Sequence, residues 1–145
     1  MSREYPSAPM VGIGIILLRG EEVLLIKRGR PPAAGAWSLP GGGQELGETA
    51  EAAARRELLE ETGLTAGALT LIAHVDSIHR DEAGRIQYHY TILDFAALYE
   101  SGEARAGDDV TALAWVHPRD FDSYDLWPEA RRVVALAMSR LNITP

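Results

Sequence analysis

The chain has 145 residues, 46% of them hydrophobic, and a formal net charge of −7, which suits one globular domain with a buried core and leaves no room for a second of ordinary size. The acidic balance argues against a nucleic acid polymer as partner, because DNA and RNA are bound through basic surfaces. The lack of cysteine excludes disulfides, thiolate zinc sites and cysteine nucleophiles together.

Residues 1–9, with two prolines, read as an irregular N-terminal arm ahead of a single domain over 1–145. Met1 to Met10 lacks an apolar signal core, and the run Val11 to Leu18 is too short to cross a bilayer. A cytoplasmic protein without membrane association is therefore expected. Val11–Leu18 and Glu22–Arg28 are aliphatic and β-branched runs separated by Arg-Gly-Glu, the pattern of a β-hairpin. Gly12 and Gly14 are not followed by the third glycine of a dinucleotide fingerprint, so they read as points of close backbone packing. Gly29 to Trp37, rich in Pro, Ala and Gly, reads as a surface loop that overhangs a substrate. Arg28 and Arg30 are candidates for phosphate contact and otherwise solvated charges; Trp37 is either core or a surface on which a substrate stacks.

The most informative stretch is Gly42 to Leu64, GGQELGETAEAAARRELLEETGL. Gly42, Glu48, Arg56, Glu57, Glu60, Glu61 and Gly63 fall in the pattern G-x5-E-x7-R-E-U-x-E-E-x-G-U, with Leu58 and Leu64 as the aliphatic U positions. Average residue usage gives such a match odds of about 10⁻⁸ per window. Thr49 to Thr62 is built from good helix formers, and Gly63 stands where a helix stops. On that helix Glu57, Glu60 and Glu61 share an arc of roughly 100°. Glu57 and Glu61 form a like-charged i,i+4 pair near the negative end of the helix dipole, two unfavourable placements that a cation offsets. Hard oxygen ligands select Mg²⁺ or Mn²⁺. The plain alternative is a solvated helix end with Arg56 paired to Glu60. Ala50, Ala53 and Ala54 continue the carboxylate side toward the N-terminus, so the acids are expected to point inward. Before the helix, Leu39-Pro-Gly-Gly-Gly43 offers backbone that approaches an ion or a phosphate unobstructed.

Downstream, Leu69–Ile78 and Arg85–Tyr99 read as strands joined by a turn at Asp81–Gly84, and Val110–His117 as a further strand ending at Pro118. Strands on either side of the Thr49–Thr62 helix predict an α/β fold with a mixed sheet and helices on its faces. Pro128 opens a last helix, with Val133, Val134, Leu136, Ala137 and Leu141 as its buried stripe. Of four scattered histidines, His79 and His89 are those to weigh against a pocket. Asp108 and Asp109 precede the Val110 strand; if their turn reaches the Thr49–Thr62 helix, Asp109 becomes a metal ligand or a general base. Lys27, the only lysine, has no P-loop around it, and Gly-x-Ser-x-Gly is absent.

The Gly42–Leu64 pattern resembles the Nudix box. The similarity extends to Gly35-x-Trp37-x-Leu-Pro-Gly-Gly42 before it and Trp115-Val-x-Pro118 after it, so it covers most of the chain. The resemblance implies an α/β/α sandwich around a mixed sheet, and hydrolysis of a nucleoside diphosphate linked to another moiety. It implies metal binding by Glu57, Glu60 and Glu61 with the Gly41 carbonyl, and orientation of that set by Arg56 and Glu48. Water attacks a phosphorus with Mg²⁺ or Mn²⁺ neutralising charge, and the base is Glu60 or Asp109. ADP-ribose or a similar nucleotide sugar ranks first as substrate, then a nucleoside triphosphate, including an oxidised one. A Nudix-fold module that senses a nucleotide without cutting it is the competing class. A homodimer is compatible with the sequence and not specified by it.

Overall fold

The computed structural model describes residues 3–30, 33–107 and 109–143; Met1 and Ser2 of the arm, Pro31 and Pro32 of the expected loop, and Asp108 lie outside them. Strand β1 (Met10–Arg19) turns at Gly20-Glu21 into β2 (Glu22–Arg28), with Leu18 opposite Val23, the expected hairpin. On its other edge β1 runs parallel to β7 (Ile86–Ser101), from Met10 beside Tyr90 to Leu18 beside Leu98. The hairpin edge of β1 is divided. Strand β2 pairs with its C-terminal end, and β4 (Gly41–Gly43) pairs antiparallel with Gly12–Gly14 near its N-terminal end. Strands β3 (Trp37–Ser38) and β8 (Val110–Val116) extend the sheet from β2, and β5 (Thr65–Ala66) and β6 (Thr70–Arg80) from β7. One parallel pair among antiparallel ones makes the sheet mixed.

Side chains alternate across a strand, and β1 is buried on both faces. Ile13, Ile15 and Leu17 pack with Ala53, Ala54 and Leu58 of α1 (Ala50–Thr62). Ile16 and Leu18 pack with Val133, Val134, Ala137 and Met138 of α2 (Pro128–Arg140). Each such aliphatic side chain contributes about 1.5–3 kcal/mol on burial, so two separate layers clamp the central strand and give the expected α/β/α sandwich.

The differences from expectation are local. Strands β3, β4 and β5 have two or three residues each, too few for any periodicity to register. Pro118 does more than end a strand: it opens a 3₁₀ helix, Pro118–Tyr124, where the His117 ring accepts the Arg119 N–H. The α2 stripe is Ala130, Val133, Val134, Ala137 and Met138, the i, i+3, i+4, i+7, i+8 set of one helical face. Leu136 falls off that face and is 43% exposed, and Leu141 is the half-buried C-cap. No described helix is long and apolar enough to cross a membrane.

Candidate active site

The box helix begins where Thr49 accepts the Ala52 N–H and ends at Gly63, whose φ of +74° favours glycine. Its last carbonyls are met from outside, since Arg105 N–H donates to Thr62 O and Gly107 N–H to Glu61 O. The segment leading to Asp109 thus reaches the helix end, which is the condition set for Asp109 in the sequence.

Arg56 is the hub of the acidic cluster. Its Nε and Nη2 donate to the two oxygens of Glu48 at 2.9 and 2.7 Å, Nη1 to Glu57 at 2.8 Å and Glu60 at 3.3 Å, and Nη2 to the Gly43 carbonyl. Bidentate pairing of this kind fixes orientation as well as charge. It holds the Glu48 carboxyl down at about 2, helped by the Glu45 N–H, and raises the Arg56 guanidinium. Glu48 and Arg56 therefore tie the helix to the β4 approach.

The three glutamates are not equivalent. Glu61 is buried against the sheet and accepts the Gly41 N–H at 2.7 Å. Burial pushes its carboxyl up to about 7; the Gly41 bond and Arg28 oppose this, and the charges of Glu57 and Asp109 add to it. Burial likewise raises Glu57, against the pull of Arg56. Glu60 is different: its side chain is 59% exposed, so the inward direction expected of all three holds for Glu61 and largely for Glu57 only. Among the described residues the carboxylates do not converge on a single point. Gly41 and Gly42 bring the backbone close. A Cβ at Gly41 would lie 1.9 Å from Ile13 O, and one at Gly42 2.4 Å from the Glu57 carboxyl carbon.

The remaining candidates are dispersed. Arg30 and Asp109 bind one another at 2.7 Å on the surface. Trp37 packs edge-to-face on Tyr124, with centroids 5.0 Å apart, and against the α2-side core. His79 is exposed on β6 beside Ser77 and Tyr88. Arg28 lines a cavity of about 420 Å³ on the α2 side of the sheet, within the range of small-molecule sites. Its wall includes Gly12, Gly14, Gly41, Gly42, Tyr88, Tyr90, Asp94 and Trp127. The acidic cluster lies on the α1 side, so the glycines of β4 form the threshold between the two.

Asp94 was not singled out from the sequence. It is 4% exposed, and burial raises its carboxyl to about 6 against the weaker effect of Arg132. An acid within the apolar run Thr91-Ile-Leu-Asp-Phe-Ala-Ala was the available signal.

Comparison with known proteins shows the family and the fold. The NUDIX domain family profile matches residues 8–137. An ADP-ribose pyrophosphatase of Methanocaldococcus jannaschii is 35% identical over 130 residues, covering 82% of this chain and 75% of that one. The nucleoside triphosphatase NudI of Escherichia coli is 36% identical over 107 residues, covering 70% and 76%. The crystal structure of a MutT NUDIX hydrolase from Burkholderia pseudomallei superposes with a TM-score of 0.78 at 36% identity, covering 90% of this chain and 98% of that one. With an unbroken box, a sheet that clamps it and a profile match over most of its length, this chain belongs to the NUDIX family and is a Nudix pyrophosphohydrolase.

Proposed function

We propose that this enzyme hydrolyses ADP-ribose, or a nucleotide sugar built like it, with its diphosphate at Gly41–Gly42 and its nucleoside in the α2-side cavity. The observation that carries the reading is the threshold itself: an acidic cluster and a cavity sized for a nucleoside meet at Gly41 and Gly42, whose missing side chains let the β4 backbone lie directly against the Glu57 carboxyl and Ile13 O. The 35% identity to an ADP-ribose pyrophosphatase over three quarters of that protein supports the same choice.

NUDIX enzymes in general need a divalent cation, and the chemistry of the donor set here suits one, although the described carboxylates do not converge on a point. Glu45, Glu48, Glu57 and Glu60 share the single guanidinium of Arg56. Glu61 beside them has burial and two neighbouring acids working against its charge. Such a surplus of hard oxygen donors, with no His or Cys among them, suits Mg²⁺ or Mn²⁺. Glu57, Glu60, Glu61 and the Gly41 carbonyl would hold it. Bound there, the ion neutralises diphosphate charge and lowers the pKa of water.

The chain's own residues do the rest. Arg56 and Glu48 hold the helix end against β4, and Arg28 faces the cavity mouth, where it neutralises phosphate oxygens. Of the two candidate bases, Glu60 is the better placed: it stands at the open side of the cluster with one long hydrogen bond to Arg56, whereas Asp109 is engaged by Arg30. Water is the nucleophile, so no covalent intermediate forms.

A panel of ADP-ribose, other nucleoside diphosphate sugars and nucleoside triphosphates, assayed with Mg²⁺ or Mn²⁺ in ¹⁸O-labelled water, tests this. ADP-ribose is expected to give the highest kcat/KM, with label in a phosphate product. A triphosphate ranking first would move the reading to the activity for which NudI is named. Glu60→Gln is expected to abolish turnover and Asp109→Asn to spare it; unchanged turnover in Glu60→Gln would overturn the assignment of Glu60 as the base.

A further inference from the structure

The reading above gives Asp94 no part in the chemistry, yet its placement is unusual for an acid. It lies in β7 beside Gly14 of β1, and its Oδ1 fills the space a Gly14 side chain would take, 2.0 Å from a Cβ built there. Gly12 and Gly14 alternate with Ile13 and Ile15, which face α1, so Asp94 sits on the α2 side, across the sheet from Glu57 and Glu61. No described residue donates a hydrogen bond to its carboxylate. Arg132 of α2 acts on it through space while hydrogen-bonding Glu129.

Buried polar groups are nearly always hydrogen-bonded, and among the described residues no fully buried side-chain oxygen lacks a partner, so the unpartnered oxygens of Asp94 keep a small opening to the cavity. Asp94 borders the cavity together with Tyr88, Tyr90, Ile92 and Trp127, so its partner can arrive from there. An ionised carboxylate only accepts, which restricts that partner to N–H or O–H donors. The distance is suitable: Gly14 pairs with Gly41 on one side and Asp94 on the other. Asp94 is thus two strand spacings, roughly 10 Å, from the diphosphate threshold, a span that a nucleoside bridges.

We propose that Asp94 is a specificity-determining residue of this enzyme, accepting hydrogen bonds from the donor-bearing part of the nucleotide in the α2-side cavity. The ribose cis-diol and the amino or imino edge of the base share that chemistry. The proposal rests on the functional reading above.

The test measures kcat/KM for the wild type, Asp94→Asn and Asp94→Leu on two sets of nucleoside diphosphate derivatives. One holds the base constant and compares ribose with 2′-deoxy- and 3′-deoxyribose; the other holds the sugar constant and varies the base. The wild type is expected to discriminate at least about tenfold on one set, since a site built around a hydrogen bond rejects analogues lacking the donor. Both variants should compress that ratio to within about threefold, with no lowering of the thermal midpoint. The set that flattens identifies sugar or base. Ratios unchanged in the variants, equal losses on every substrate, or a wild type indifferent to both sets would each overturn the proposal. A wild type that cleaves nothing would overturn the functional reading and this proposal together, an outcome distinct from intact turnover with unaltered ratios.

Discussion

The two sides of β4 treat their acids in opposite ways. On the α1 side Arg56 engages Glu48, Glu57 and Glu60, and a Gly41 amide meets Glu61. On the α2 side Asp94 faces a cavity whose lining also includes Glu4, and no described residue donates a hydrogen bond to the Asp94 carboxylate. The contrast teaches that one sheet end can separate two tasks: on the proposed function, the charged rim would cut the phosphate chain and the cavity wall across the sheet would read the rest of the substrate. Each face is open to challenge by substitutions that leave the other intact.

The largest effect is expected from Arg56→Lys. Lysine keeps the charge but not the planar fork that meets both Glu48 oxygens, so the helix end loses its fixed position against β4. Losses of this kind cost about 10- to 100-fold in metal affinity or activity. Steady-state kinetics should show the fall in kcat for every substrate alike, with selectivity ratios unchanged. A variant that altered selectivity instead would merge the two faces.

Gly14→Ala attacks the other side. Its methyl would fall on Asp94 Oδ1, and relieving such a clash costs about 1–3 kcal/mol. Denaturant unfolding should register that loss, and KM should rise more than kcat falls, because the cavity wall moves and the acidic rim does not.

An effect of similar size separates the faces by pH. Asp94 and Glu61 both have carboxyls raised by burial, to about 6 and about 7. The folded state of such a group holds its proton more tightly than the unfolded state does. Stability is therefore full below the unfolded pKa near 4 and is lost as pH rises through the folded value. Metal-free protein is expected to lose stability from pH 4 toward 7. Asp94→Asn should recover ~3 kcal/mol at pH 8, measured by denaturant midpoint, and metal should recover only the part due to Glu61.

How much of this was legible in the sequence follows from the range of each interaction. Glu57, Glu60 and Glu61 lie within five residues, and helical geometry alone places them near one another; Gly63 and Thr49 mark the ends of that helix in the same local code. The hairpin of β1 and β2 and the turn at Asp81–Gly84 are local too. Asp94 beside Gly14 is a pairing of residues 80 positions apart, set by the parallel register of β1 and β7, which no periodicity reports. The outward turn of Glu60 and the Arg30–Asp109 pair depend on side-chain packing around the helix end, and they too escape a reading based on spacing. Leu136 shows the same limit at small scale: it is apolar, but it lies off the face that Ala130 and Met138 define.

The central claim is that the glutamates at the end of α1 bind a divalent cation. Calorimetric titration of Mg²⁺ and Mn²⁺ into the wild type and Glu57→Gln, at pH 6, 7 and 8 with and without nucleotide, tests it most directly. Metal binding requires deprotonated ligands, so wild-type affinity should strengthen as pH rises through about 7, where Glu61 titrates, and Glu57→Gln should bind at least about tenfold more weakly. Equal uptake by the two proteins, or none by the wild type at any pH, would contradict the account.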